Sequence, residues 1–404
     1  MPSATGSRGL GLAAVLTGVV APFAPMMMAP LAGLAAALGL VDLVRRRLGL
    51  QAFTSAFGVF VFVLLGWMLA SGSWAIGLEL AASTFGEAGL MLMSAVLLVA
   101  SARRVGDDER ARLARAIAVG FALLVLCLAV EALSRGFVLR TVAPGKLGDR
   151  AWSNAWISRG LVVMALMLWP TLVALRRLGW RKAAPGAVAL ALVLVYIGRH
   201  NSTLVALAAG LATFALVYAF GRPAVVALGA LCIAFALANP LLVMGPLSPE
   251  SAAAVLDPID RSAAHRLYIW SFVTERIMER PWLGWGLGSS RIIPGADGLT
   301  PVGGTNVSLH PHSAPLQLWL ELGVGGVLML AALVVLVCRA ISRLDDRFDR
   351  AAAAAMLSVG FVLGALAFGV WQGWWIGALG LLAAWLIALV ARPAGAGDPR
   401  AGRA

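Results

Sequence analysis

The sequence has 404 residues, of which 61% are hydrophobic and only 13% charged, and its mean hydropathy is +0.89. A soluble domain could not keep this much apolar surface out of water, so the composition excludes a soluble globular protein. The formal net charge of +13 matches basic loops held against an anionic inner leaflet, and it requires no nucleic-acid partner.

Apolar stretches close to the ~20 residues that cross ~30 Å of hydrocarbon recur along the whole chain. Because backbone polar groups must be satisfied within each segment in lipid, these stretches are predicted to be helices of an all-α polytopic membrane protein. About twelve are expected, near residues 8–21, 27–44, 51–70, 84–101, 114–133, 156–175, 183–198, 202–219, 223–243, 313–338, 351–369 and 373–391. Prolines at positions 22, 25 and 30 make the first pair either a tight hairpin or one broken helix.

Basic residues give the expected orientation. On this helix assignment 21 of the 32 lie on one side of the membrane, which is therefore predicted to be cytoplasmic, with both termini inside. The expected organisation is nine transmembrane helices in residues 1–243, a long periplasmic loop at 244–312, three helices in 313–391 and a cytoplasmic tail at 392–404. No cleavable signal peptide is apparent. The three cysteines fall in predicted helices and are expected to be apolar fillers, not disulfides.

Several basic residues lie on the opposite, outward side. Arg135, Arg140, Lys146 and Arg150 occupy the first outer loop, where they are either tolerated during translocation or attract an anionic ligand. Arg159 lies just inside the sixth predicted helix, and an arginine deeper in the membrane would cost up to ~2.5–3.5 kcal/mol unless it pairs or lines a wet cavity. Arg199 lies in a short turn at the outer face, beside a histidine expected to be neutral and interfacial. Arg159 and Arg199 are thus candidate functional residues.

The long loop contains a predicted helix within "HRLYIWSFVTERIMERPWLGWGLGSSR" (265–291) that ends before Pro281. Arg266, Trp270, Val273 and Ile277 recur at helical spacing and share one face. This face is expected to lie along the membrane domain, with Arg266 pointing toward it. A snorkelling anchor is the alternative role for this arginine.

The loop ends in "LHPHSAPLQLWLELG" (309–323). His312 and Ser313 stand at the start of the tenth predicted helix, where the helix dipole keeps imidazole neutral and able to accept a proton. Gln317 and Glu321 follow one turn apart, as candidates to orient His312 or contact an acceptor. His310 is expected to be structural. A metal site formed by His310, His312 and His265 is a weaker alternative, since no carboxylate or cysteine stands at ligand spacing.

The combination of His312-Ser313, a downstream pair of glycines, and a preceding loop with "RLYIW" (266–270) and "RPWLGWGLG" (280–288) resembles the O-antigen ligase and polymerase family. The resemblance implies a GT-C-like fold and an inverting glycosyltransferase that needs no metal or other cofactor. Its donor would be a glycan on undecaprenyl diphosphate. His312 would be the catalytic base, and Arg266, Arg199 and Arg159 would bind the diphosphate. Ser313 stands where asparagine is usual, and Gly198 where serine usually precedes the arginine.

Within that family, the expected activity is ligation of O-antigen to the lipid A-core of lipopolysaccharide at the periplasmic face of the bacterial inner membrane. The lipid bilayer, the lipid-linked donor and the lipid A-core are the partners expected. An O-antigen or exopolysaccharide polymerase with the same donor is the first alternative. A transporter is the alternative from another class, although no internal repeat is evident and the polar residues gather at one face.

Overall fold

The structure is a computed structural model that describes residues 5–45, 47–142, 153–258 and 260–391. In these ranges the chain forms sixteen α-helices, and its only β pairing is an isolated bridge between Leu299 and Thr305. The helices are α1 (Thr5–Phe23), α2 (Met28–Arg45), α3 (Gly49–Phe53), α4 (Ala56–Ser71), α5 (Leu78–Ala102), α6 (Asp107–Leu133), α7 (Phe137–Val142), α8 (Ser158–Arg177), α9 (Ala184–Ile197), α10 (Asn201–Phe220), α11 (Arg222–Met244), α12 (Pro249–Leu256), α13 (Arg261–Glu279), α14 (Ala314–Ser342), α15 (Arg347–Leu366) and α16 (Gly373–Val390).

All twelve apolar stretches are helical, as α1, α2, α4–α6, α8–α11 and α14–α16. Ten helices of the described chain are long and apolar enough to cross a membrane. The two others, α4 and α9, have 16 and 14 residues, which gives lengths of about 24 and 21 Å. The prediction of an all-α polytopic membrane protein is confirmed. The first two helices form the hairpin alternative, joined by a 3₁₀ turn at Pro25–Met27.

Hydrogen bonds between residues at the helix ends show which ends lie on the same side of the bundle. One group, the basic end, contains the pairs Gly6–Asp42, Gln51–Arg104, Arg176–Asp346 and Arg222–Ser342. The opposite end contains the pairs Trp74–Leu283, Ser202–Arg266 and His310–Gln372. The twelve helices run alternately between the two ends. The start of α1 and the end of α16 therefore lie together at the basic end.

Helix α8 lies at the centre of the bundle, with 89% of its membrane window buried. It packs against α6, α15 and α16, and α1 crosses α6 nearby. Gly18 and Gly120 permit this crossing, because a Cβ atom on either glycine would meet the backbone of the other helix. Small residues at crossings are typical of membrane bundles, where close backbone approach supplies the packing energy.

The connection between α11 and α14 holds α12, α13 and a 3₁₀ turn at Ser289–Arg291. Asp260 caps the start of α13, because its Oδ1 accepts hydrogen bonds from the backbone N–H groups of Ser262 (2.9 Å) and Ala263 (3.1 Å). It ends two residues before Pro281, as expected. Trp270, Val273 and Ile277 are buried in a cluster that includes residues of α11 and α14. The predicted apolar stripe is therefore confirmed.

We expect the end opposite the basic end to face the periplasm. In a variant whose three native cysteines are alanine, single cysteines at Arg199 and Asp297 should react with an impermeant maleimide in intact cells. Cysteines at Arg181 and Arg347, which are equally exposed at the basic end, should react only after the cells are permeabilised. Labelling of the second pair but not the first in intact cells would invert this orientation.

Candidate active site

Helix α14 is kinked near its start, where Gly323 has a φ of +62°. The backbone N–H of Val324 donates to the carbonyl of Pro281 (2.9 Å) instead of continuing the helical ladder. The carbonyls of Leu320 and Glu321 accept hydrogen bonds from the N–H groups of Trp285 (2.8 Å) and Gly286 (2.9 Å). The kink thus leaves backbone groups of α14 free to form hydrogen bonds with residues 281–288. This segment is called the strap below.

The strap follows this edge because three of its residues are glycines. Gly284, Gly286 and Gly288 have φ values of +71°, +90° and +76°, in the left-handed region that other residues rarely adopt. A Cβ atom on Gly284 would lie 2.6 Å from the backbone carbonyl carbon of Glu321. Gly284 therefore allows close backbone contact with α14, whereas Gly286 allows close approach to Ala75 and Gly288 to Leu80 and Thr84 of α5.

Glu321 joins three elements beneath the site. Its side chain is completely buried, and Oε2 accepts hydrogen bonds from the Gly288 N–H and the Trp371 indole N–H, both at 2.7 Å. Oε1 accepts from the Gln317 amide at 3.0 Å, and Gln317 Oε1 accepts from the Val370 N–H at 2.9 Å. Glu321 and Gln317 therefore tie α14 to the strap and to the connection between α15 and α16.

His312 lies directly before α14, with its backbone in the left-handed region at a φ of +56°. Its Nδ1 lies 2.9 Å from the carbonyl oxygen of Ala367, the residue after α15. Since a carbonyl only accepts, Nδ1 carries the proton and Nε2 keeps a lone pair. Burial lowers the pKa of His312 from 6.5, the Ala367 hydrogen bond opposes this change, and the nearby Arg266 charge supports it.

His310 packs beside His312, with ring centroids 4.4 Å apart. Its Nδ1 lies 3.1 Å from the backbone nitrogen of His312, and its Nε2 lies 2.9 Å from the Gln372 amide nitrogen. A neutral imidazole has one acceptor nitrogen, so in each tautomer it accepts from one of these two groups. Burial, followed by the field of His312, lowers the pKa of His310 to about 3. The Trp270 indole donates to the carbonyl of Pro311 at 2.9 Å. Trp270 therefore contacts the turn "HPH" on one side and Gln372 contacts it on the other. His310 in turn contacts the backbone of His312.

Three arginines lie near enough for their charges to act on the histidines. Arg266 donates from Nη1 to Ser202 Oγ at 3.0 Å and extends from α13 toward α10. Arg159 lies over the Trp374 ring, 5.8 Å from its centroid. The fields of Arg291, Arg159 and Arg266 all act on His310. Across the described ranges none of these arginines forms an ion pair with a carboxylate. The site is a positively charged surface beside a neutral imidazole.

Arg199 lies at the edge of this region, in the turn between α9 and α10. Its side chain is exposed and its φ is +49°. Three residues later, Ser202 contacts Arg266. The adjacent His200 contacts Thr203 Oγ1 through Nδ1 at 2.6 Å, and burial lowers its pKa to about 4. This environment favours the neutral, interfacial role expected for His200.

Part of the chain matches a known protein family. The O-antigen ligase family matches residues 186–331, the range that contains Arg199, Arg266, the strap and His312. Residues 186–331 belong to the O-antigen ligase family. This membership confirms the resemblance inferred from the residues around His312.

The chain is similar to curated proteins, two of which match most of its length. A Rickettsia conorii protein named "Putative polysaccharide ligase" is 27% identical over 81% of this chain and 78% of its own. A Rickettsia felis protein of the same name is 27% identical over 70% of this chain and 69% of its own. A Rickettsia prowazekii relative is 33% identical over 39% of this chain and 41% of its own.

The site also contains residues that the sequence analysis missed. The charge of Arg291 acts on His310. The Ala367 carbonyl contacts His312, and the Gln372 side chain contacts His310. The Trp374 ring lies beneath Arg159. Residues 367–374 lie outside the matched range and had been predicted only as the end of one helix, a three-residue break and the start of the next. The glutamine and paired tryptophans in "FGVWQGWW" (368–375) are the one signal that could have marked them.

The first outer loop is described in part. Arg135 and Arg140 are exposed, and the buried Glu131 accepts the N–H groups of Val138 and Leu139 at the start of α7. Lys146 and Arg150 lie outside the described residues. Likewise, among described residues no three His, Cys, Asp or Glu side chains are grouped for a metal ion. Metal independence and the role of the loop remain predictions.

Glu321 is expected to maintain the site's structure and not to perform chemistry. Replacing it with alanine leaves three buried donors without an acceptor, at a cost of about 1–3 kcal/mol each. Glu321→Ala should therefore lower the unfolding temperature in detergent strongly, Glu321→Gln less, and the exposed control Glu87→Ala hardly at all. If Glu321→Ala leaves the unfolding temperature unchanged but abolishes activity, Glu321 contacts substrate or orients the base, as the sequence analysis allowed.

Proposed function

We propose that this protein is an inverting, metal-independent glycosyltransferase of the O-antigen ligase type. It transfers a glycan from undecaprenyl diphosphate to the lipid A-core of lipopolysaccharide at the periplasmic face of the inner membrane. The observation that carries this proposal is the His312 hydrogen bond to the Ala367 carbonyl. That contact leaves Nε2 as a proton acceptor beside arginines that have no carboxylate ion-pair partner in the described chain.

The base is suited to an alcohol acceptor. Nε2 of His312 removes the proton from an acceptor hydroxyl while the hydroxyl oxygen attacks the anomeric carbon of the donor sugar. The new glycosidic bond forms on the face opposite the leaving group, so the anomeric configuration inverts. Burial lowers the pKa of His312, which keeps the ring neutral and able to accept the proton at the start of each cycle.

The arginines are suited to the leaving group. As the bond between the anomeric carbon and the diphosphate oxygen breaks, its electron pair stays on the diphosphate, whose negative charge increases. Arginine side chains remain protonated and bind phosphate oxygens in pairs, which stabilises this charge. Arg266 and Arg159 are the principal candidates for diphosphate binding, and Arg199 at the edge of the site is a third.

The choice of acceptor rests on the charge of the first outer loop. Arg135, Arg140, Lys146 and Arg150 would attract a phosphorylated lipid A-core more strongly than a neutral sugar repeat. Ligation is therefore the proposed reaction. Polymerisation of O-antigen or exopolysaccharide repeats uses the same donor chemistry and remains the alternative. A transporter is less favoured, because Arg159, Arg199 and Arg266 lie at one end of the bundle and not at its centre.

The base assignment is tested most selectively by His312→Asn. Asparagine tolerates a positive φ and its amide can still donate to the Ala367 carbonyl, but it has no group at the position of Nε2. Sugar transfer by purified protein should fall roughly 10²- to 10⁴-fold, the contribution of a general base. His310→Asn keeps an acceptor for the His312 N–H and should lose at most about tenfold, the scale of a small misplacement of the base.

A metal mechanism predicts a different pattern in the same assay. Chelators should leave the wild-type rate unchanged if His312 acts as a base. Loss of transfer on chelation, with recovery on adding zinc, would assign His310 and His312 to a metal site and reject the base. Full activity of His312→Asn would reject the proposed mechanism altogether.

Gene deletion separates ligase from polymerase. If ligation is the missing step, the deletion strain should accumulate long lipid-linked polymer and make lipopolysaccharide that lacks it. Purified protein supplied with lipid-linked glycan and lipid A-core should join the two. Accumulation of single lipid-linked repeats, with at most one repeat on the core, would instead assign chain growth to this protein.

A further inference from the structure

The connection between α15 and α16, residues 367–372, is an unassigned part of the site. It is called the closing turn below. Helix α15 ends at Leu366, and the Ala367 backbone leaves the helical region with φ −136° and ψ −40°. Its carbonyl is directed to Nδ1 of His312. A backbone carbonyl cannot exchange roles with the ring, so this contact fixes both the tautomer and the orientation of the imidazole.

The closing turn also contacts His310 twice. The Gln372 amide nitrogen lies 2.9 Å from His310 Nε2. Gly369 packs against the ring so closely that a Cβ atom there would lie 2.8 Å from His310 Cγ. Because His310 Nδ1 lies 3.1 Å from the His312 nitrogen and the two rings pack together, any displacement of His310 is passed to His312.

Gln372 extends these contacts to the arginine side of the site. Its Oε1 accepts a hydrogen bond from the Trp374 indole at 3.0 Å, and Arg159 lies over that indole ring. One side chain thus connects the support of His312 with the ring beneath Arg159. These contacts join α16 and α8 to the start of α14.

We propose that the closing turn positions the base, with Gln372 and Gly369 acting through His310 as positioning residues for His312. This inference rests on the proposed function of His312. The atoms nearest to a Cβ atom at Gly369 all belong to the His310 side chain, so replacing Gly369 should reduce the rate of the chemical step and not the binding of the donor. Misplacing a catalytic group by about 1 Å costs up to 10²-fold in rate.

Gly369→Ala and Gly373→Ala form a matched pair of tests. The added methyl group at Gly369 meets the His310 ring, whereas at Gly373 the nearest side-chain atoms are 3.7 Å away. Gly369→Ala should lower kcat for transfer roughly 10- to 100-fold, with the donor KM within about twofold of wild type. Gly373→Ala should behave as wild type. Equal activity of the two variants, or a change confined to the donor KM, would overturn the proposal.

Gln372→Met removes the amide at nearly constant size and tests the same route without a clash. It should lower kcat about tenfold, and the double variant Gln372→Met/His310→Asn should lose no more than the more impaired single variant. Losses that multiply would mean that Gln372 acts independently of His310, against the proposal. Trp385→Phe, which removes another buried indole hydrogen bond of α16 at the far end of the helix, should keep wild-type kcat.

The activity of His312→Asn distinguishes failure of the proposed function from failure of the positioning role of the closing turn. If His312→Asn is inactive while Gly369→Ala and Gln372→Met are fully active, the base is retained and the closing turn has no positioning role. If His312→Asn is active, the proposed function itself fails.

Discussion

The kink of α14 at Gly323 is the constraint on which the rest of the active-site end depends. A break in a transmembrane helix leaves backbone groups that lipid cannot satisfy, so other parts of the chain must satisfy them. The strap does so through its own backbone, and the Trp67 indole donates to the Leu322 carbonyl at 3.2 Å. Glu321, beside the kink, can be buried only because the strap, Gln317 and the closing turn supply its donors. One local break therefore fixes the positions of two separate segments.

Separate segments of the chain bring the proposed base and the arginines together at this end of the bundle. His312 lies at the end of the long loop, just before α14, and its ring contacts the Ala367 carbonyl of the closing turn. The arginines arrive from α8, α13 and the 3₁₀ turn after the strap. Charges of one sign placed together repel each other and are retained where an anionic ligand compensates them. A neutral imidazole among them is stable, because burial and the arginine fields both disfavour its protonated form.

Hydropathy predicted the twelve helices because crossing lipid imposes length and apolar composition on each segment separately. Helical periodicity likewise predicted α13 and its buried stripe, including the direction of Arg266. His312 could be located from Pro311 and the start of α14, which are local signals. The fold and the catalytic candidate were therefore within reach of local patterns.

Contacts distant in sequence could not be predicted in this way. Glu321 appeared as a candidate for chemistry because nothing local reveals that Gly288 and Trp371, 33 and 50 residues away, donate to it. The Ala367 carbonyl carries no side-chain signal at all. Arg291 follows two serines in a glycine-rich stretch, and only the folded chain brings it near His310. Family resemblance supplied the catalytic roles, whereas the supporting contacts required the structure.

In the proposed reaction the arginines bind the leaving diphosphate, and His312 accepts the proton of the acceptor hydroxyl. An experimentally determined structure with undecaprenyl diphosphate bound tests this division most directly. The diphosphate is expected against Arg266 and Arg159, with Nε2 of His312 facing the space beside it and making no bond to phosphate. A diphosphate bound at the basic end, or one coordinated by His312 itself, would contradict the account.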